Sequence, residues 1–464
     1  MNMTSTALRS AFARRLSTLY GTEVPAYATL VDESEAVNRD VMETEGAHAA
    51  RLGSIARVTA ERHGAIRVGS PRELAQVATI FGAMGMHSVG FYDLRETLSS
   101  SLPIVSTAFR PIDSEELAAN PFRVFTSMLV PSDRRFFTED LGMRLENYLA
   151  NRTLFPPELL DLARRAEIEG ELPNDTAQQF LDLATNSFAL STEPVDKAWY
   201  RELEAVSAVA ADIGGVSSTH INHLTPRVLD IDSLHSRMEQ RGVAMIDTIQ
   251  GPPRINAPDI LLRQTSFRAL DEQREFREAD GSVSIGTLRV RFGEVESRGI
   301  AVTPAGRELY DRFLEATDGS TEPGHTPTDR NDAARARWAE MMPRSEQELI
   351  RNQLAYFTFS MQSPELAGEA TTILDLVESG AVSAEPIVYE DFLPKSAAGI
   401  FRSNLQSEGF RHHLEAESGI DANWLASVID RPMHDPYELY AQMQRASIDR
   451  ISSELKRALE PLGE

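Results

Sequence analysis

The sequence has no cysteine and hardly any lysine. Without thiols there can be no disulfides, thiolate metal sites or cysteine nucleophiles, so any metal would have to be held by histidine and carboxylate. Lys197, Lys395 and Lys456 are the only lysines, which leaves 43 of the 46 basic residues as arginine; a coding bias explains the split, and no function is taken from it. Histidine is scarce too, at ten residues in 464. No apolar run approaches the roughly 20 residues of a membrane span. Positive charge is outweighed, for a formal net charge of -24. That balance argues against a nucleic-acid partner, which needs clustered cations, and against an anionic membrane surface. A cytoplasmic location is the default expectation.

What remains is an ordinary globular composition, 42% hydrophobic and 25% charged. The length predicts about three domains or a compact two-module chain, with a core large enough to need no staples. The opening "MNMTSTALRSAFARRLSTLYG" is Arg- and Ser-rich and free of acids, like a transit peptide. Leu8, Phe12, Leu16 and Leu19 fall at helical spacing, however, and predict an amphipathic first helix within an N-terminal helical segment, residues 1–50.

Residues 51–130 read as a first βαβββ unit. "ERHGAIRVG" is strand-like, and "SPRELAQVATIFGAMGM" begins a helix with Ser70 as N-cap, Pro71 in the first turn and Glu73 closing a capping box. "HSVGFYDL", "PIVSTAFRPI" and "PFRVFTSMLV" supply three more strands. Residues 131–210 are a helical insertion broken at Pro156-Pro157 and Pro173. A similar order returns over residues 211–310: strand "THINHL", helix "DIDSLHSRMEQRG", strand "VAMIDTIQG", then "DILLRQTSF" and "TLRVRFGEVES". This repeat is one of element order, not of residue identity. Residues 317–335 are polar and contain Gly and Pro, which predicts an exposed loop. The C-terminal region, 311–464, reads as mostly helical, including "WAEMMPRSEQELIRNQLAYFTF", around a conspicuous pocket loop at 388–405. The fold class expected is α+β.

Three stretches carry candidate chemistry. On a strand, His63, Ala65 and Arg67 share one face, while Gly64, Ile66 and Val68 pack under the following helix. An imidazole beside a guanidinium suits a metal ligand next to a carboxylate receptor; the alternative is a structural histidine with a surface arginine. In "TLRVRFGEVESRG", Leu288, Val290, Phe292 and Glu294 alternate onto one face. A carboxylate ending an apolar row is costly unless paired, protonated or bound to a cation, or else the strand has already reached solvent, with Gly293 as a bulge. In "STHINHLTPR", His220 and His223 would share a helix face, but Pro226 and the preceding Ser/Thr run favour a strand. A strand would send the two histidines to opposite faces, so only one joins a given site, and spacing does not choose which. His63, one histidine of "HINH" and Glu294 together form the two-imidazole, one-carboxylate set that leaves open positions on non-haem Fe(II). Phosphate-cradling glycine loops, a G-x-S-x-G elbow and H-E-x-x-H are absent.

"ERHGAIRVG", "FRVFTS", "HINHLTPRVLDID", "ILLRQTSF", "RFGEVESRG" and "YEDFLPKSAAGIFRSNL" resemble the 2-oxoadipate dioxygenase/decarboxylase family, also called hydroxyglutarate synthase, from "EVPAYATL" to about residue 405. The resemblance implies a fold related to the vicinal oxygen chelate dioxygenases, with two βαβββ units forming a central curved sheet or half-barrel surrounded by helices. It implies Fe(II) held by His63, His223 and Glu294, with Arg67 binding the substrate. It also implies that the segment around Lys395 lines the pocket. The reaction implied turns 2-oxoadipate and O2 into 2-hydroxyglutarate and CO2, in lysine breakdown, so the expected partners are a small 2-oxo acid and O2. His63, His223, Glu294 and Arg67 are the expected catalytic residues, and His63, Arg67 and Lys395 the expected substrate contacts. The chain departs from the family pattern in three places: Leu288 and Val105 stand where the relatives have histidine, and Lys395 where valine is usual. Two other readings differ in class: a metal-dependent isomerase or hydrolase using a Lewis-acid ion, and a ligand-binding protein without a productive metal.

Overall fold

Two strands bearing histidines lie side by side at the centre of the molecule. The computed structural model describes residues 2–46, 49, 51, 53–95, 101–269, 271–289, 291–318, 327–393 and 419–460. The elements that shape the site are α1 (Ser5–Glu23), α2 (Pro25–Glu45), β1 (Arg62–Val68), α3 (Pro71–Gly82), β2 (His87–Asp93), β3 (Ile104–Arg110), β4 (Arg123–Leu129), α4 (Ala208–Gly214), β5 (Ile221–Pro226), α5 (Ile231–Gln240), β6 (Leu262–Ser266), β7 (Glu272–Arg277), β8 (Val283–Leu288), β9 (Glu294–Arg298) and α6 (Pro436–Leu455). The fold is α+β.

Five strands form the main sheet in the order β2-β3-β4-β1-β5, with β1 parallel to β4 and antiparallel to β5. Both faces of β1 are buried, so the sheet separates two apolar cores. Ile66 and Val68 pack with Leu74, Val77 and Phe81 of α3 and with Leu8, Phe12 and Leu16 of α1. The opposite face, through Ala65, Ala108 and Phe125, meets Val209, Ala210 and Ile213 of α4 and the aromatic Phe392. The start of α3 follows local chemistry. Ser70 Oγ accepts from the Glu73 amide at 3.3 Å, and the Glu73 carboxylate returns to an amide one residue earlier than a standard capping box uses, Gly69 N at 2.6 Å.

Beyond Pro226 the chain runs beside β9, where Val228 N donates to Glu296 O at 2.8 Å, and β9 pairs antiparallel with β6. Four expectations change here. "VAMIDTIQG" makes only the isolated bridges Met245–Phe267 and Gln250–Gln264, with no continuous ladder between them. "TLRVRFGEVES" is two strands, β8 paired with β7 and β9 paired with β6, not one. Helix Pro327–Met341 occupies part of the expected loop, whose residues 319–326 lie outside the described residues. "AYFTF" ends in the strand Phe357–Met361, paired with Val382–Pro386, because Phe357 and Phe359 are buried on either side of a half-buried Thr358. Its aromatic alternation overrides the helical reading.

The break before β9 is set by Gly293. Its carbonyl accepts from Phe267 N at 2.8 Å, and a Cβ there would come within 1.8 Å of Phe267 Cε1. The Phe267 ring is buried and cannot swing away. Gly293→Ala is expected to lower stability by about 1–3 kcal/mol through overpacking, read as a lower urea midpoint with an unchanged m-value.

Candidate metal centre

Register brings two of the predicted ligands together. His63 of β1 lies opposite Thr225 of β5, and Ala65 lies opposite His223, so His63 and His223 project from neighbouring strands to the same side. The pairing then slips, with Ile66 opposite Ile221 and Asn222 as an extra residue. One extra residue reverses the alternation. His220 therefore lies on the same side as His223, not the opposite one as a regular strand predicts. It turns to other partners: His220 Nε2 is 3.4 Å from Asp212 Oδ1 and 3.1 Å from Asn222 Nδ2. The α1 helix braces the bulge, since the Tyr20 hydroxyl lies 3.1 Å from the Asn222 carbonyl and 2.8 Å from the Phe292 carbonyl.

Glu294, the first residue of β9, completes the group. One ligand atom from each of His63, His223 and Glu294 lies within 4.8 Å of the others, and all three residues are buried. His63 Nε2 is 3.3 Å from Glu294 Oε1, and His223 Nδ1 is 3.8 Å from Glu294 Oε2. The imidazoles are perpendicular at a centroid distance of 5.3 Å. Phe392 packs edge-on against His63 at 5.0 Å, and Phe292 stacks on His223 at 5.1 Å. These rings exclude water from two sides.

The electrostatics separate the groups. Burial holds His223 neutral, well below the usual histidine range, and the neighbouring His63 pushes the same way. Burial lowers His63 as well, but the charges of Glu296 and Glu294 outweigh it, and the net shift is upward. Burial raises the Glu294 carboxyl, and Glu296 adds to that against the opposing pull of His63. Glu296, equally buried, is nonetheless held well below the usual carboxylate range by Arg298, His63 and Arg123. Burial brings His220 down to about 4. A neutral imidazole offers its lone pair, and a buried carboxylate short of positive charge invites a cation. This donor set fits a divalent metal with open positions.

Some surrounding residues were not legible in the sequence. Glu296 Oε2 lies 2.8 Å from His63 Nδ1, Gln264 Nε2 donates to Glu294 Oε1, and the Thr225 hydroxyl is 3.0 Å from His223 Nδ1. Strand alternation could have flagged Glu296, two positions beyond Glu294; nothing in the sequence pairs Gln264 with Glu294. Arg67 lies on the His63 face and donates from Nη1 to Asp212 Oδ2, which also accepts from Asn222 Nδ2 at 2.9 Å. Lys395 lies outside the described residues. Val105 is buried in the core on the α3 side of the sheet, and Leu288 is buried in the other apolar core at the end of β8, so neither departure enters the metal-ligand cluster.

The family model described as 2-oxoadipate dioxygenase/decarboxylase matches residues 12–404. The 2-oxoadipate dioxygenase/decarboxylase of Mycobacterium tuberculosis (strain ATCC 25618 / H37Rv) is 54% identical over 433 residues, covering 93% of this chain and 95% of that one. This chain belongs to the 2-oxoadipate dioxygenase/decarboxylase family. The family relative from Pseudomonas putida is 38% identical over 467 residues, covering 97% of each chain. The crystal structure of the hydroxyglutarate synthase in complex with 2-oxoadipate from Pseudomonas putida superposes with a TM-score of 0.84 at 35% identity, covering 98% of this chain and 99% of that one. No helix among the described residues is long and apolar enough to cross a membrane.

A ligand that binds only the folded state raises apparent stability by about 2.7 kcal/mol at 100 times its dissociation constant. Divalent metal is therefore expected to raise the melting temperature of the chelator-treated protein. Glu294→Ala should abolish that rise, whereas His220→Ala should keep most of it. A metal response lost in His220→Ala and kept in His223→Ala would reverse the ligand assignment.

Proposed function

We propose that the chain is an Fe(II)-dependent oxygenase that converts 2-oxoadipate, or a close 2-oxo acid, and O2 into 2-hydroxyglutarate and CO2, in lysine catabolism. The observation that carries this reading is the buried His63, His223 and Glu294 cluster in a chain of the 2-oxoadipate dioxygenase/decarboxylase family. The reaction balances: one oxygen atom of O2 enters the new carboxylate of the shortened diacid, and the other its new hydroxyl, as carbon dioxide leaves. Iron, when bound, supplies chelation of the 2-oxo acid and activation of O2.

The remaining tasks fall to the protein. His63, His223 and Glu294 would hold the ion, with room left for substrate and O2. Arg67 anchors a substrate carboxylate, and Asp212 sets the orientation of its guanidinium from α4. Arg67 is opposite Ser127, and Ser127 opposite Ser106, so a polar row crosses three strands of the same sheet face. The two serine hydroxyls are 2.9 Å apart and buried. Phe392 and Phe292 keep the site dry, which strengthens each polar contact with a dianionic substrate.

The test is anaerobic addition of Fe(II) and then of 2-oxo acids of graded length, followed by admission of O2. The expected result is a charge-transfer band strongest with 2-oxoadipate, then O2 uptake matched one-to-one by CO2 release. Turnover of a 2-oxo acid without O2 uptake would favour Lewis-acid chemistry instead. Arg67→Ala is expected to act mainly on KM, since leaving a buried carboxylate unpaired costs about 3–5 kcal/mol; an unchanged saturation curve would remove Arg67 from substrate binding.

A further inference from the structure

We propose that Glu296 is a positioning residue for the metal centre: it fixes the proton of His63 on Nδ1, so that Nε2 presents its lone pair toward Glu294 and the ion. The inference rests on the metal-centre reading above, but on neither the identity of the metal nor that of the 2-oxo acid.

The geometry starts at His63 Nδ1, which lies 2.8 Å from Glu296 Oε2. The approach is oblique to the ring N–H direction, so the contact is a close polar pair and not an ideal hydrogen bond. The nearby negative oxygen favours the proton on Nδ1, 2.8 Å away, over Nε2, whose own carboxylate contact is longer at 3.3 Å. The opposite ring nitrogen, Nε2, faces Glu294 Oε1 at 3.3 Å. A histidine that ligates through one nitrogen while a carboxylate takes the N–H of the other has its tautomer and orientation set from outside the ligand shell.

Glu296 itself cannot turn. Arg298 grips it bidentately, Nε to Oε1 at 2.7 Å and Nη2 to Oε2 at 2.8 Å, and Arg123 Nη1 adds a contact to Oε1 at 3.2 Å. The guanidiniums are fixed in turn. Arg123 Nη2 donates to Glu61 at 2.7 Å, and Arg298 Nη1 donates to the Tyr389 and Asp391 carbonyls, each at 2.9 Å. All of these side chains are buried. Structural ion pairing alone would be satisfied by the guanidiniums; it does not require the fourth contact, to His63.

The arrangement makes the isosteric amide a sharp probe. Glutamine has one acceptor oxygen where glutamate has two. Oε1 meets two guanidinium N–H groups and Oε2 meets one, so the amide oxygen takes the Oε1 place and the NH2 takes the place beside His63. An N–H donor there forces the ring proton onto Nε2, the atom needed for the metal. The carboxylate-to-amide exchange behind the histidine of a serine-protease triad acts by the same wrong-tautomer logic.

The experiment compares the wild-type protein with Glu296→Gln and Glu296→Asp. Its two readouts are Co(II) affinity and the 15N shifts of the His63 ring in metal-free protein at alkaline pH. Glu296→Gln is expected to bind Co(II) about 10- to 100-fold more weakly and to move the proton of neutral His63 from Nδ1 to Nε2. Glu296→Asp keeps the charge and should restore the Nδ1–H form. Wild-type Co(II) affinity together with an unmoved tautomer in Glu296→Gln would overturn the proposal, as would an Nε2–H tautomer in the wild type. If Glu296→Gln does not fold, an Nε2–H ring in Glu296→Asp overturns it equally. Wild-type protein that shows the Nδ1–H tautomer but takes up no Co(II) would sink the metal-centre reading while leaving the Glu296–His63 coupling standing.

Discussion

Glu294 and Glu296 stand two residues apart on one strand, both fully buried, and the structure treats them in opposite ways. Two guanidiniums hold Glu296 ionised, from Arg298 and Arg123. The charge of Glu294 is set instead by burial, His63, Glu296 and Gln264, with no guanidinium among those influences, and its carboxyl is correspondingly raised. A buried carboxylate in that state is unstable unless it is protonated or meets a cation. With one imidazole kept neutral by burial and another aimed by a carboxylate behind it, the missing charge defines the site. Strand pairing, the bulge at Asn222 and the close approach at Gly293 all serve to bring these groups to one point.

The sequence was most informative where local chemistry and periodicity decide the outcome. Ser70, Pro71 and Glu73 marked the start of α3, and Leu8, Phe12 and Leu16 marked the buried face of α1. The alternation of His63, Ala65 and Arg67 against Ile66 and Val68 separated the two faces of β1, because both faces are buried in different company. It was least informative where pairing partners decide. The bulge that turns His220 and His223 to one side arises from the register of β5 against β1, and no residue in "HINH" announces it. "TLRVRFGEVES" alternates well enough to read as one strand, yet each half has its own partner, β7 and β6 respectively. Glu294 therefore enters the site as the first residue of a new strand and not as the end of an old one. Of the residues around the candidate ligands, Gln264 and Asp212 are known only from tertiary contact.

The arginine excess also has a structural side that composition did not disclose. Arg9, Arg110, Arg123, Arg227 and Arg298 are among the largest fully buried side chains. Arg110 grips Asp391 through Nε and Nη2 at 2.8 and 3.0 Å, and Arg227 meets Glu61 at 2.8 Å. A planar fork can satisfy two acceptors from fixed directions in a dry interior, which an ammonium cannot do. The first pair ties β3 to Asp391; Glu61, just before β1, joins Arg227 just after β5 to Arg123 of β4, and Arg123 reaches Glu296 of β9. Such buried pairs are weak evidence for net stability; what they supply here is direction, because each carboxylate they hold has a defined orientation.

The hydroxyl of Tyr20 joins the first helix to two distant carbonyls, those of Asn222 and Phe292, one preceding His223 and the other two residues before Glu294. The three candidate ligands come from positions 63, 223 and 294, so a ribosome must release well over half of the polypeptide before the last of them exists. The helix made first must then wait, undocked on this side, for carbonyls made much later. Binding of an ion by this cluster would thus be a late event in the life of the nascent chain, since its most distant parts must have met first.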